Sequence, residues 1–160
     1  MTTLESEFLA WWNANGQLRE LVPSGMWRDE VPENDERGRK IGSPDAQGRL
    51  IEFGRFSLIS QAQRDLQTAG PEGTQTGQSC FEDRLIQVDV WGTDPEKLRN
   101  VAEISKKHLN RWKPTLIYPE VFHRCDRTNW LFVPEDEGEW EGRTVWRSFQ
   151  EFTVVVECEV

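Results

Sequence analysis

Tyrosine, histidine and cysteine are scarce in this 160-residue chain, which has one Tyr, two His and three Cys. Each shortage removes a class of function. With only His108 and His123, the commonest general base and metal ligand at neutral pH is nearly missing. Two imidazoles do not complete a structural zinc site, which needs four ligands, and there is no Cys-x-x-Cys pair to help. Cys80, Cys125 and Cys158 are odd in number and widely spaced, so they read as thiols of a reducing compartment. Cations are also outnumbered. The 19 Lys and Arg against 28 Asp and Glu leave a formal charge of −9, which suits a general duplex binder poorly, because such binding draws on clustered cations that displace counterions. No apolar run approaches the ~20 residues of a membrane span. Met1 to Glu5 carry neither the basic nor the apolar segment of a secretory signal, so no membrane partner is expected.

What remains is enough chain for one domain that buries roughly 70% of its unfolded surface. It also holds eight Trp and eight Phe, the side chains of a small core or of an interface. Leu4, Phe8, Trp11 and Trp12 recur at helical spacing from Thr2 to about Asn15. Thr2 with Glu5 fits a capping box, and Gly16 fits the position just past the helix end. Met26 to Val31 reads as a short strand ended by Pro32. Residues 33–50 are charged and rich in Gly, Pro and Asp, with almost nothing to bury, and read as a protruding arm. A strand near Arg55 to Ser60 leads into a second polar loop, 61–79. From Phe81 to Trp91, Ile86, Val88 and Val90 alternate with Leu85, Gln87, Asp89 and Trp91, so one strand face is buried and the other mixed.

Asp94-Pro95 then announces a helix, with Asp as N-cap and Pro at the first helical position. Leu98, Val101, Ala102, Ser105, Leu109 and Trp112 form its inward stripe, and Pro114 stops it. Its C-terminal cations suit the helix dipole. Strands are expected at Thr115–Tyr118, Val121–Cys125, Trp130–Val133 and Thr144–Val160. An acidic hairpin tip, Pro134 to Gly142, lies before the last of these. No internal repeat is evident. The order α-β-β-β-α-β-β-β predicts an α+β fold of one domain: an antiparallel sheet of about five to six strands with two helices packed against it.

No enzyme signature emerges. His123 and Cys125 would share a strand face without forming a protease dyad, and a buried thiol beside a hydrogen-bonded His is the simpler reading. The Gly70–Gly77 stretch lacks the Lys-Ser or Lys-Thr of a phosphate loop. No cofactor, metal or catalytic residue is expected. Long polar loops, an acidic tip and surplus Trp instead describe a protein that assembles.

The order of several motifs resembles one family. An amphipathic N-terminal helix precedes a short strand ending in Val31-Pro32. A central strand runs from Ile86 to Trp91, with the turn Gly92-Thr93-Asp94 and a helix after it. The last strand carries Arg147, Phe149, Phe152, Val154 and Val156. Together these resemble the tail-completion or tail-terminator proteins of long-tailed bacteriophages. The resemblance implies a virion protein of the neck, assembled in the host cytoplasm as a homo-oligomeric ring, commonly a hexamer. Such a ring ends the tail tube, meets the head-tail connector, lets DNA pass without gripping it, and has no catalytic residue. Contacts are expected from the arm around Arg37, Arg39 and Lys40, the loop around Arg64, Asp65 and Leu66, and Glu137 and Trp140 on the acidic tip. The basic arm set against the acidic tip suggests charge pairing between subunits. The alternative is a small acidic binding or inhibitor protein of the immunity type.

Overall fold

The computed structural model describes residues 3–63, 79–140 and 142–159. Helix α1 spans Leu4–Ala14, with Leu4, Phe8 and Trp12 buried at the four-residue spacing of one helix face. Its capping box is Thr3 with Ser6 rather than Thr2 with Glu5: Ser6 N–H donates to the Thr3 hydroxyl, and Thr3 N–H donates to the Ser6 hydroxyl. Gly16 does not end that helix. Asn15 closes α1 and accepts from Leu18 N–H as the N-cap of α2, Gly16–Leu21.

The sheet has five strands: β1 Met26–Arg28, β2 Phe53–Gln63, β3 Ser79–Gly92, β4 Val121–Trp140 and β5 Arg143–Glu159, in the spatial order β1-β2-β3-β5-β4. The fold is α+β, and the sheet is antiparallel except for β1, which runs parallel to β2. That parallel pair needs the long 33–50 crossover, because a tight turn joins only antiparallel strands. At Gly54 the Met26 side chain of β1 fills the space a Cβ would take, its methyl 2.6 Å from that position. Between β3 and β4 lies α3, Pro95–Leu109, with Asp94 as N-cap accepting from Glu96 and Lys97 N–H.

Two expected strands differ. β1 stops at Arg28, where Asp29 takes φ +60°. Thr115–Tyr118 is not a strand. Tyr118 is 81% exposed and precedes a cis Pro119, and the segment is not among the five strands of the sheet. Conversely, Val121–Cys125 and Trp130–Val133 are parts of one strand, β4. Register shifts at Phe122/Arg124 and Arg127/Asn129 break its alternation, which is why it reads as two pieces.

The core lies between the helices and one sheet face. Ile86, Val88, Val90, Phe152, Val154 and Val156 meet α1 and α3 there. Phe8 is its hub, with ring centroids 4.7 Å from Phe56, 5.5 Å from Trp11 and 6.2 Å from Trp112. Burying each such ring is worth about 2–3 kcal/mol, and this cluster ties α1 to β2 and to Trp112, which lies just past the end of α3 rather than within it. Trp12 and Trp112 belong to the core, with Trp11 and Trp146 packed against it.

The 33–50 segment is more ordered than its composition suggests, and it contains a repeat. Asp35-Glu36-Arg37-Gly38-Arg39 and Asp45-Ala46-Gln47-Gly48-Arg49 make the same turn ten residues apart. In the first, Asp35 Oδ1 accepts from Arg37 and Arg39 N–H at 2.9 and 2.8 Å. In the second, Asp45 Oδ1 accepts from Gln47 and Arg49 N–H at the same two distances. Gly38 and Gly48 take φ +76° and +73°, a conformation disfavoured for other residues. The segment also buries something, since Leu50 is 5% exposed.

Candidate interaction surfaces

The sheet face away from the helices has no covering layer among the described residues, yet it hides a charge. Asp89 is 1% exposed. Arg147 Nη2 reaches Asp89 Oδ1 at 2.6 Å and Arg55 Nη2 reaches Oδ2 at 3.2 Å. Gln87 Nε2 also donates to Oδ2, at 2.9 Å. Strand register puts these groups together: Arg55 sits opposite Asp89, and Arg147 opposite Trp91. Both guanidiniums lie over the Trp91 ring, at 5.5 and 5.8 Å from its centroid, and Arg147 also covers Phe149 at 5.2 Å. Trp91 stacks on Phe53 at 5.3 Å and donates its indole N–H to Glu135 at 2.9 Å. Leu131 and Val133 flank this network, 51% and 39% exposed. The cluster holds side chains rigidly and offers no proton-transfer pair.

The second surface is the β4–β5 ribbon. β3 ends with Gly92 opposite Trp146; beyond that point β4 and β5 continue as two strands alone, through a register shift between Pro134 and Glu139, to Trp140 opposite Arg143. Glu137 and Trp140 lie on this ribbon, within β4 itself, so the stretch 134–140, expected as a hairpin tip, is strand. The third is the turn carrying Arg37, Arg39 and Lys40. Arg39 is engaged locally, its Nε donating to Asp35 Oδ2 at 2.9 Å. Arg37 and Arg39, with α1, α2 and β1, line an open groove of about 910 Å³. The structure does not bring this turn to the tip within one subunit in any described contact. Arg64, Asp65 and Leu66 lie outside the described residues.

His123 and Cys125 do not share a face. The shift at Phe122/Arg124 sends Cys125 into the core, where burial and then Asp126 push its thiol up to about 12. His123 instead bonds Glu157 Oε2 at 2.7 Å and packs on Phe81. Elsewhere, Arg84 is 6% exposed and bonded to both Glu120 and Glu82, and its pKa is raised chiefly by Glu120. Among the described residues no three His, Cys, Asp or Glu side chains gather as metal ligands.

These features can be set beside known proteins. No family model matches the chain, and no curated protein matches its sequence. Its fold does have a counterpart. A chain in the structure titled "Virion of native gene transfer agent (GTA) particle" superposes with a TM-score of 0.60 at 14% identity, covering 96% of this chain and 94% of that one. The likeness is of fold.

The Asp89 network is absent from the candidate residues chosen by sequence. One signal pointed to it. An aspartate midway in the Val88-Asp89-Val90 run faces a sheet, where a charge is seldom buried without a partner. Its partners, at positions 55 and 147, needed the register.

Proposed function

We propose that the chain is a structural protein of a phage-like virion, and within it a neck subunit. Its homo-oligomeric ring would terminate the tail tube, join tail to head and let DNA pass through. The observation that carries this reading is the fold likeness over nearly the whole of both chains, the counterpart belonging to a virion. The motif order from the N-terminal helix to the Arg147–Val156 strand supports the finer assignment to the neck. The architecture suits a scaffold: its buried charges are bound in fixed networks, and its protruding parts are a ribbon and a crossover turn. An acidic subunit, at −9, also repels phosphate and suits a channel through which DNA slides.

In this reading the chain is one domain. The turn at Arg37, Arg39 and Lys40, the segment at Arg64, Asp65 and Leu66, and the tip with Glu137 and Trp140 are its contact elements. Neighbours would be further copies, the tail tube protein and the head-tail connector. The test is mass by light scattering together with negative-stain imaging, alone and with tail tubes. Rings, or caps at tube ends, are expected. A strict monomer that ignores tubes, or a tight 1:1 complex with a basic protein, overturns the proposal in favour of a binding or inhibitor protein.

A further inference from the structure

The acidic tip has a stronger counterpart than the crossover turn, at the far end of the same subunit. Lys106, Lys107, Arg111 and Lys113 fall within eight residues at the C-terminal end of α3 and beyond it, all exposed, with exposed His108 among them. No described ion pair engages any of these four cations. Two carboxylates near this end are already held, Glu120 by Arg84 and Glu157 by His123, and exposed Glu103, one turn back on α3, is in no described ion pair with Lys106 or Lys107. The crossover turn, by contrast, spends Arg39 on Asp35 and leaves only two cations, Arg37 and Lys40, outside any described ion pair.

The fold separates this basic patch from the acidic ribbon. α3 runs antiparallel to β4: Arg99 covers Phe132, Arg127 donates to the Ala102 carbonyl, and Trp112 meets Phe122. The α3 C-terminus therefore sits at the start of β4, while Asp136, Glu137 and Glu139 lie near its end. Most of the 20 residues of β4 lie between them, roughly 50 Å at the usual strand rise. A subunit does not reach its own tip across that span. Two-stranded ribbons are also marginal in water without further packing.

We infer that the basic end of α3 in one copy receives the acidic β4–β5 ribbon of the next copy. Two different patches meet, so the contact is heterologous, the kind that closes into a ring when its rotation permits. The inference rests on the homo-oligomer proposed above. Exposed pairs are individually weak, so the contact should be strongest at low salt and fade near about 0.5 M salt, where screening shortens to a few ångströms.

The experiment uses the full chain and three variants, with mass measured against concentration at low salt. One carries K106E, K107E, R111E and K113E; the second carries D136K, E137K and E139K; the third carries both sets. Each single set should raise the assembly midpoint at least tenfold, and the combined set should recover most of that loss. A companion set, K106Q, K107Q, R111Q and K113Q, guards against unfolding from acids at a helix C-terminus and should weaken assembly in the same direction. If folded single-set variants assemble like the wild type, the inference fails while the ring stands. If the helix variant assembles normally but loses retention of a labelled DNA duplex, the patch faces phosphate and the inference fails. If the wild type itself stays monomeric, the ring reading fails first.

Discussion

On one side of the sheet Phe152, Val154 and Ile86 are sealed by two helices; on the other, Asp89 is sealed by its own neighbours. The first solution is a dry core, insensitive to salt and dependent on close fit. The second needs no covering layer. Two arginines sit over Trp91, Arg147 also over Phe149, and pair with the carboxylate while staying partly in water, with side-chain exposures of 36% and 29%. A face built this way stays folded while uncovered.

The comparison can be broken from either side. Phe152→Ala removes a fully buried ring under α3 and should cost about 3–5 kcal/mol, lowering Tm by roughly 10 °C for a domain of this size. Thermal and urea unfolding would measure it, and the loss should be independent of salt. A loss below about 1 kcal/mol would mean that the helix side is loosely packed.

Asp89→Ala should come next, at about 2–3 kcal/mol. Breaking a buried pair costs about 3–5 kcal/mol when the orphaned charge stays buried, but Arg55 and Arg147 here can turn outward to water. Arg55→Ala should cost less than Asp89→Ala, because Arg147 and Gln87 still hold the carboxylate. The reverse order would show that the cation–aromatic contacts, rather than the carboxylate, organise the face.

How far these features were legible differs with their physics. The Ile86–Val90 alternation and the Asp94-Pro95 cap are local, and both stand in the structure as read. The β4 strand is local too, but the register shifts at Phe122/Arg124 and Arg127/Asn129 turn a single strand into two apparent ones. The parallel β1–β2 pair, and the meeting of Asp89 with Arg55 and Arg147, depend on which strands become neighbours. No local pattern carries that. The repeat at Asp35 and Asp45 was present in the residues but masked by its fillers, Glu-Arg in one turn and Ala-Gln in the other.

Those two turns allow the smallest and most local test of covered against uncovered structure. The first ends on Lys40 and is exposed; the second ends on Leu50, which is buried. Both aspartates are held below the usual carboxylate range. At Asp35, desolvation pushes upward but is outweighed by the Arg39 and Arg37 N–H donors and the Arg39 guanidinium; at Asp45 the Arg49 N–H leads. A depressed folded-state pKa means the stabilisation is present above the ordinary value of 3.8 and disappears as pH falls through the lower folded value. Acidification below that point should therefore open the turns while leaving the core intact. The amides of Arg39 and Arg49, followed by NMR or hydrogen exchange, should lose protection there with little change in global Tm. Arg49 should lose less than Arg39, because Leu50 still anchors the second turn after its carboxylate is protonated. Equal loss at both would mean that the aspartate alone builds each turn and that the buried leucine adds nothing to it.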